Sequence, residues 1–135
     1  MTRLFDTRSL MALCLDSDAP EISTVFDEHV LDLTFYEAGD AIWKAYTRQD
    51  RITAKEHEQL TALVSDLRRE VLVHTLADIG FETVMALASE TGLTFYDAAH
   101  LACAIELDGT LVTEDESSRE IAEGHVEVRR VSTLQ

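Results

Sequence analysis

Short apolar runs rich in β-branched residues alternate along this chain with longer stretches whose apolar residues recur at helical spacing. That alternation constrains the fold more than any other feature. Arg3-Leu4-Phe5 is one such run, closed by Asp6-Thr7, and Leu10, Met11, Leu13, Cys14 and Leu15 follow with helical spacing. Ala19-Pro20-Glu21 predicts a second helix, with Pro in its first turn. Val30-Leu31-Asp32-Leu33 reads as a second strand, and Thr34 as the N-cap of a helix that carries Phe35, Ala38, Ile42 and Ala45 on one face. Thr53 and Glu56 form a capping box before an amphipathic helix with Leu60, Leu63, Val64 and Leu67. Val71 to His74 reads as a third strand, Phe81 to Ala88 as a helix ended by Gly92, and Thr94 as the cap of a largely apolar helix ended by Gly109. Thr110 to Thr113 and Val126 to Val128 complete a set of about five strands. Strands alternating with helices specify an α/β fold, a parallel sheet with helices on both faces and right-handed crossovers. With 135 residues, and no internal repeat, linker or low-complexity tract, residues 1–135 read as a single domain.

Charge narrows the function classes. Twenty-six acids face eleven bases, a formal charge of −15, and the only lysines are Lys44 and Lys55. A general basic surface for nucleic acid is therefore excluded. An acidic surface suited to high salt and a set of carboxylates gathered for a cation both remain open. Cys14 and Cys103 lie among apolar residues and read as small core residues in a reducing compartment, with no Cys/His spacing suited to zinc. Neither an apolar leader nor a membrane-length apolar run is present, so the expected location is cytoplasmic.

In an open parallel sheet, ligands bind at the carboxyl ends of the strands. Asp6 ends the first strand, Glu37 falls in the first turn of the helix after the second, Asp97 in the first turn of the helix capped by Thr94, and Asp115 just beyond the fourth strand. Carboxylates gathered at one edge would repel each other and raise one another's pKa unless a cation joins them, and hard oxygen ligands suit Mg2+ or Mn2+. Such an ion can generate hydroxide near neutral pH and stabilise charge building on a phosphate. Each acid taken alone also fits a helix cap or a solvated charge. Thr7 and Thr113 are hydroxyl neighbours of the set.

Four local words add what spacing cannot. Leu4-Phe5-Asp6-Thr7, Leu33-Thr34-Phe35-Tyr36-Glu37-Ala38-Gly39-Asp40-Ala41-Ile42-Trp43-Lys44, Leu93-Thr94-Phe95-Tyr96-Asp97-Ala98-Ala99-His100 and Leu111-Val112-Thr113-Glu114-Asp115 together resemble the PIN-domain family. The likeness is greatest to the VapC-type toxins of prokaryotic toxin–antitoxin pairs, and it covers essentially the whole chain in order. It implies a three-layer PIN-like fold and a metal-dependent endoribonuclease that hydrolyses RNA phosphodiester bonds, often a homodimer, neutralised by an antitoxin protein. By motif, Asp6, Asp97 and Asp115 would hold Mg2+ or Mn2+ directly or through water. Glu37 would orient the attacking water or a second ion. Asp40 departs from the pattern, which often has Asn there, and could add a ligand or only a charge.

Other readings compete. A receiver-type phosphotransfer domain wants paired acids after the first strand and a lysine after the last, and a haloacid-dehalogenase-like phosphatase wants Asp-x-Asp; Asp6-Thr7-Arg8 supplies neither. A PIN-fold interaction module without catalysis, and an RNA-processing nuclease outside a toxin pair, are the alternatives within the resemblance. His29, His57, His74, His100 and His125 are scattered without metal spacing. Arg8, Arg129 and Arg130 are candidate phosphate or partner contacts, with solvent exposure as the plainer reading. Glu114 and Glu116 flank Asp115 and could support it. Trp43, Tyr46 and the Leu60 to Leu67 stripe are the expected dimer surface.

Overall fold

The computed structural model describes residues 2–134. Five parallel strands form one sheet in the order β3-β2-β1-β4-β5: β1 Arg3–Phe5, β2 His29–Leu31, β3 Leu72–His74, β4 Thr110–Val112 and β5 Val128–Arg129. Among the described residues seven α-helices run beside it, α1 Thr7–Leu15, α2 Leu33–Trp43, α3 Ala54–Leu67, α4 Leu76–Ile79, α5 Phe81–Thr91, α6 Phe95–Glu106 and α7 Glu116–Ala122.

Period-two alternation builds the layers, because successive residues of a strand point to opposite faces. Leu4, Leu31 and Leu111 face α6, whose residues Ala98 to Ala104 are all buried. Their neighbours Phe5, Val30 and Val112 face the other way, toward Leu10 and Leu13 of α1 and Leu67 of α3. Four alanines in the buried run of α6 let that helix lie close to sheet and neighbours alike. A third cluster joins Ala38 and Ile42 of α2 to Val64 of α3.

The structure moves several predicted boundaries. The segment after Pro20 forms only a 3₁₀ turn, Ile22–Val25, without a side-chain cap, because β2 starts at His29 and leaves room for one turn. Helix α2 starts before Thr34: Asp32 accepts the Leu33 N–H at 2.9 Å, and Thr34 turns inward to meet His100 Nε2 at 3.3 Å. β5 lies at Val128–Arg129, where Val128 pairs with Leu111, rather than at Val126 to Val128. Sequence reading missed α4 and α7, which are only four and seven residues long. The Thr53/Glu56 capping box is present, and Gly92 ends α5 at φ +79°, where a side chain would be strained. Burial pushes the Cys14 thiol up to about 11 and that of Cys103 up to about 12, so both behave as unreactive apolar residues.

Leu67 and Val64 of the expected dimer stripe are used up inside the fold. Trp43 lies under Arg48, and Tyr46 stacks on His57 at 4.4 Å. Among the described residues no helix is long and apolar enough to cross a membrane.

Candidate active site

Strand order reverses between β1 and β4, so the crevice beyond their carboxyl ends is the topological switch point where such sheets bind ligands. Asp6 leaves β1 there as the N-cap of α1, accepting the Ser9 N–H at 2.9 Å. Its own N–H donates to Val112 at 3.1 Å, continuing the ladder to β4. The buried Ser9 hydroxyl lies 2.9 Å from both the Asp6 and the Val112 carbonyl oxygens, clamping the two strand ends together.

Asp115 follows β4 as the N-cap of α7. One of its oxygens accepts the Ser117 N–H at 3.1 Å and the Ser117 hydroxyl at 2.9 Å. The other lies 3.3 Å from the Ser118 hydroxyl, which also reaches Asp97 Oδ2 at 3.1 Å. One hydroxyl proton cannot serve two carboxylates at once, so this pair of acids is held together while under-donated. Asp97 sits in the first turn of α6, and its N–H donates to the cap Thr94. Glu37 comes from the second turn of α2, not the first, because of the earlier helix start, and accepts the Thr7 hydroxyl at 2.6 Å.

A cavity of about 220 Å³ collects these groups: Asp6, Glu37, Asp97 and Asp115 all line it, with Thr7, Thr94 and Arg8. Among the described residues none of the four acids is in an ion pair; the pairs that form lie elsewhere. Asp40, by contrast, is outside the cavity, exposed and paired with Lys44 at 3.1 Å. Glu114 accepts the Val131 N–H at 2.7 Å, and Glu116 pairs with Arg119 and Arg130, so both have structural partners. Arg129 is held by Glu127 at 2.6 Å.

The expectation that neighbouring acids raise one another's pKa fails at Asp115. Donation from the Ser117 hydroxyl, against a smaller desolvation effect, holds its carboxyl below the ordinary value. The donor chemistry, carboxylates with hydroxyls between them, fits a hard divalent cation. The arrangement is open, however: among the described residues no three His, Cys, Asp or Glu side chains are gathered as a ready cage.

Sequence reasoning missed Ser118 and set His100 aside for want of metal spacing. Ser118 is the bridge between Asp97 and Asp115, detectable only as a small polar residue three positions after a capping acid. His100, 4% exposed, lines the same cavity; its Nδ1 lies 3.0 Å from the Tyr96 carbonyl, which makes Nδ1 a donor, and its Nε2 meets the Thr34 hydroxyl.

The fold agrees with comparisons to known proteins. A model of the PIN domain matches residues 4–124. Ribonuclease VapC3 of Pyrobaculum aerophilum is 29% identical over 128 residues, covering 91% of this chain and 94% of that protein. Exonuclease VapC9 of the same organism is 35% identical over 101 residues, 73% of this chain and 70% of that protein. The crystal structure of PAE2754 from Pyrobaculum aerophilum superposes with a TM-score of 0.79 at 29% identity, over 98% of this chain and 92% of that one. VapBC2 from Rickettsia felis, solved bound to a DNA fragment from their promoter, shares the fold at a TM-score of 0.68 and 13% identity, over 96% and 98% of the two chains. The chain belongs to the PIN-domain family.

Proposed function

We propose that this protein is a metal-dependent endoribonuclease, the toxin of a VapBC-type toxin–antitoxin pair. The observation that carries the reading is the set of four carboxylates, without cationic partners among the described residues, around one cavity at the switch point of the sheet. A relative named as a ribonuclease, matched along nearly its whole length, supports the same chemistry. Asp6, Asp97 and Asp115 would hold Mg2+ or Mn2+, with Glu37 beside them. A bound ion supplies a hydroxide near neutral pH and offsets the charge of the phosphodiester. The residues of the chain do the positioning. Ser9 fixes the strand ends that carry Asp6 and Asp115, Ser118 keeps Asp97 against Asp115, and Thr7 holds the Glu37 carboxylate, which would orient the attacking water and accept its proton.

An antitoxin protein, a homodimer and a cytoplasmic setting belong to this reading through the resemblance. Cleavage of RNA with and without Mn2+, using Asp97→Asn as control, tests it: metal-dependent cleavage lost in the variant supports the reading, and cleavage indifferent to both overturns it. Because VapC9 is named as an exonuclease, a circular RNA separates the two modes. An endonuclease opens the circle, and an exonuclease leaves it intact.

A further inference from the structure

One six-residue word occurs twice in this chain. Leu33-Thr34-Phe35-Tyr36-Glu37-Ala38 and Leu93-Thr94-Phe95-Tyr96-Asp97-Ala98 differ only in the acid. Each copy delivers its acid to the cleft, and each places a tyrosine directly before that acid. Tyr36 is 79% exposed and Tyr96 58%, although both belong to well-packed helices. Both tyrosines line a second cavity, of about 230 Å³, whose other walls are mostly apolar, including Leu33, Leu76, Ile79 and Phe95. Tyr96 also lines the acidic cavity, so the two spaces share a wall.

An apolar slot edged by exposed aromatic rings, opening beside a cleft suited to a phosphodiester, has the chemistry of a nucleobase site. Stacking on an aromatic ring needs no cation, and each base contributes roughly 5- to 150-fold in affinity. That suits a chain of net charge −15, which cannot hold a polyanion by a row of basic side chains. Only unstacked bases can enter such a slot, which selects single strands over duplexes. We infer that Tyr36 and Tyr96 form a base-stacking subsite that seats one nucleobase of a single-stranded RNA next to the scissile phosphate. The inference rests on the ribonuclease reading and adds to it the means by which an acidic protein grips its substrate.

A short single-stranded RNA, cut at one bond in Mn2+, and a series of the same RNA with one abasic nucleotide at each position provide the test. For the wild type, one abasic position flanking the cut should raise KM by roughly 5- to 150-fold while kcat changes less. Tyr36→Ala and Tyr96→Ala should each raise KM for the intact RNA and largely erase the abasic penalty; Tyr36→Phe and Tyr96→Phe should preserve both. Metal-free binding of the same RNAs, followed by fluorescence anisotropy, should show the same coupling between ring and base. Wild-type protein that handles all abasic RNAs alike overturns the subsite and leaves the ribonuclease reading standing. Absence of any Mn2+-dependent cleavage by the wild type removes that reading and the subsite with it. Alanine variants that lose self-association with unchanged KM assign the slot to a second copy of the chain, which also overturns it.

Discussion

Thr7 donates its hydroxyl to Glu37 Oε1 across 2.6 Å, tying the first turn of α1 to α2 across the mouth of the acidic cavity. Hydrogen bonds to charged groups contribute about 1.5–3 kcal/mol, so losing this one should leave Glu37 free to swing. Thr7→Val is expected to lower kcat for RNA cleavage on the order of tenfold or more with little change in KM, while Thr7→Ser retains most activity. Equal activity of the valine and serine variants would show that Glu37 needs no such support.

Asp97 and Asp115 share the Ser118 hydroxyl, and a cation bound between carboxylates would act only on the native state. Asn at position 97 can still accept from Ser118, so metal-free Asp97→Asn should melt close to the wild type. Millimolar Mn2+ should raise the wild-type melting temperature, by about 2.7 kcal/mol of stability at a hundred times the dissociation constant, and raise the variant much less. If thermal melts instead show the variant lower by the same amount with and without Mn2+, Asp97 is a helix-dipole acid and not a ligand.

How far the sequence discloses this arrangement depends on the range of the interactions involved. The strands and the long helices are legible because periodicity and caps are local: Thr53 finds its Glu56 three residues away, and the Leu4/Phe5 alternation needs no distant partner. The start of α2 is not legible. Asp32 and Thr34 are both competent caps two residues apart, and the choice falls to Asp32 while the hydroxyl of Thr34 meets His100, 66 positions away. Ser118 is hidden for the same reason. It stands in a polar run, and the carboxylate it donates to, Asp97, lies 21 residues earlier in sequence. Asp6 and Asp115 are legible in position because each follows a parallel strand, a local feature with a fixed place in the fold, whereas Asp97 follows helix α5 and Glu37 lies a full turn into α2.

His29 Nδ1 and His74 Nε2 lie 2.7 Å apart with their rings stacked, joining β2 to the edge strand β3, and one ring must be neutral for that contact to be a hydrogen bond. Burial, and then repulsion from His74, lower the pKa of His29 below its ordinary 6.5. A depressed histidine resists protonation in the native state while the unfolded chain takes up the proton. The contribution is thus present above about pH 6.5 and is lost as pH falls through the lowered value. Urea midpoints should therefore drop between about pH 7 and pH 5, and His29→Gln should flatten that drop. A variant with an unchanged pH profile would place the acid sensitivity elsewhere.

Lysine scarcity and the −15 charge give the chain a self-repelling surface. Screening it should raise the melting temperature as KCl goes from low to molar levels, where the Debye length is about 3 Å. A melting temperature indifferent to KCl would leave the acid excess without a stability consequence.

Among the described residues Arg8 is the only arginine or lysine along the acidic cavity, it is exposed, and it has no ion-pair partner there. In the first turn of α1 it stands two residues from Asp6, where a phosphate held near the carboxylates would come within reach. A contact of this kind releases counterion from a single strand, which makes its signature a salt slope rather than a single affinity. Removing it should reduce the magnitude of the slope of log K against log salt by about 0.7. Arg8→Ala is thus expected to weaken single-stranded RNA binding at low salt, with the difference from wild type shrinking as salt rises, while Arg8→Lys keeps the slope. Because the side chain is exposed and supports no packing, thermal stability should be unchanged in both variants. An arginine that is merely solvated would leave the slope of Arg8→Ala identical to that of the wild type, and binding isotherms at four or more salt concentrations distinguish the two cases.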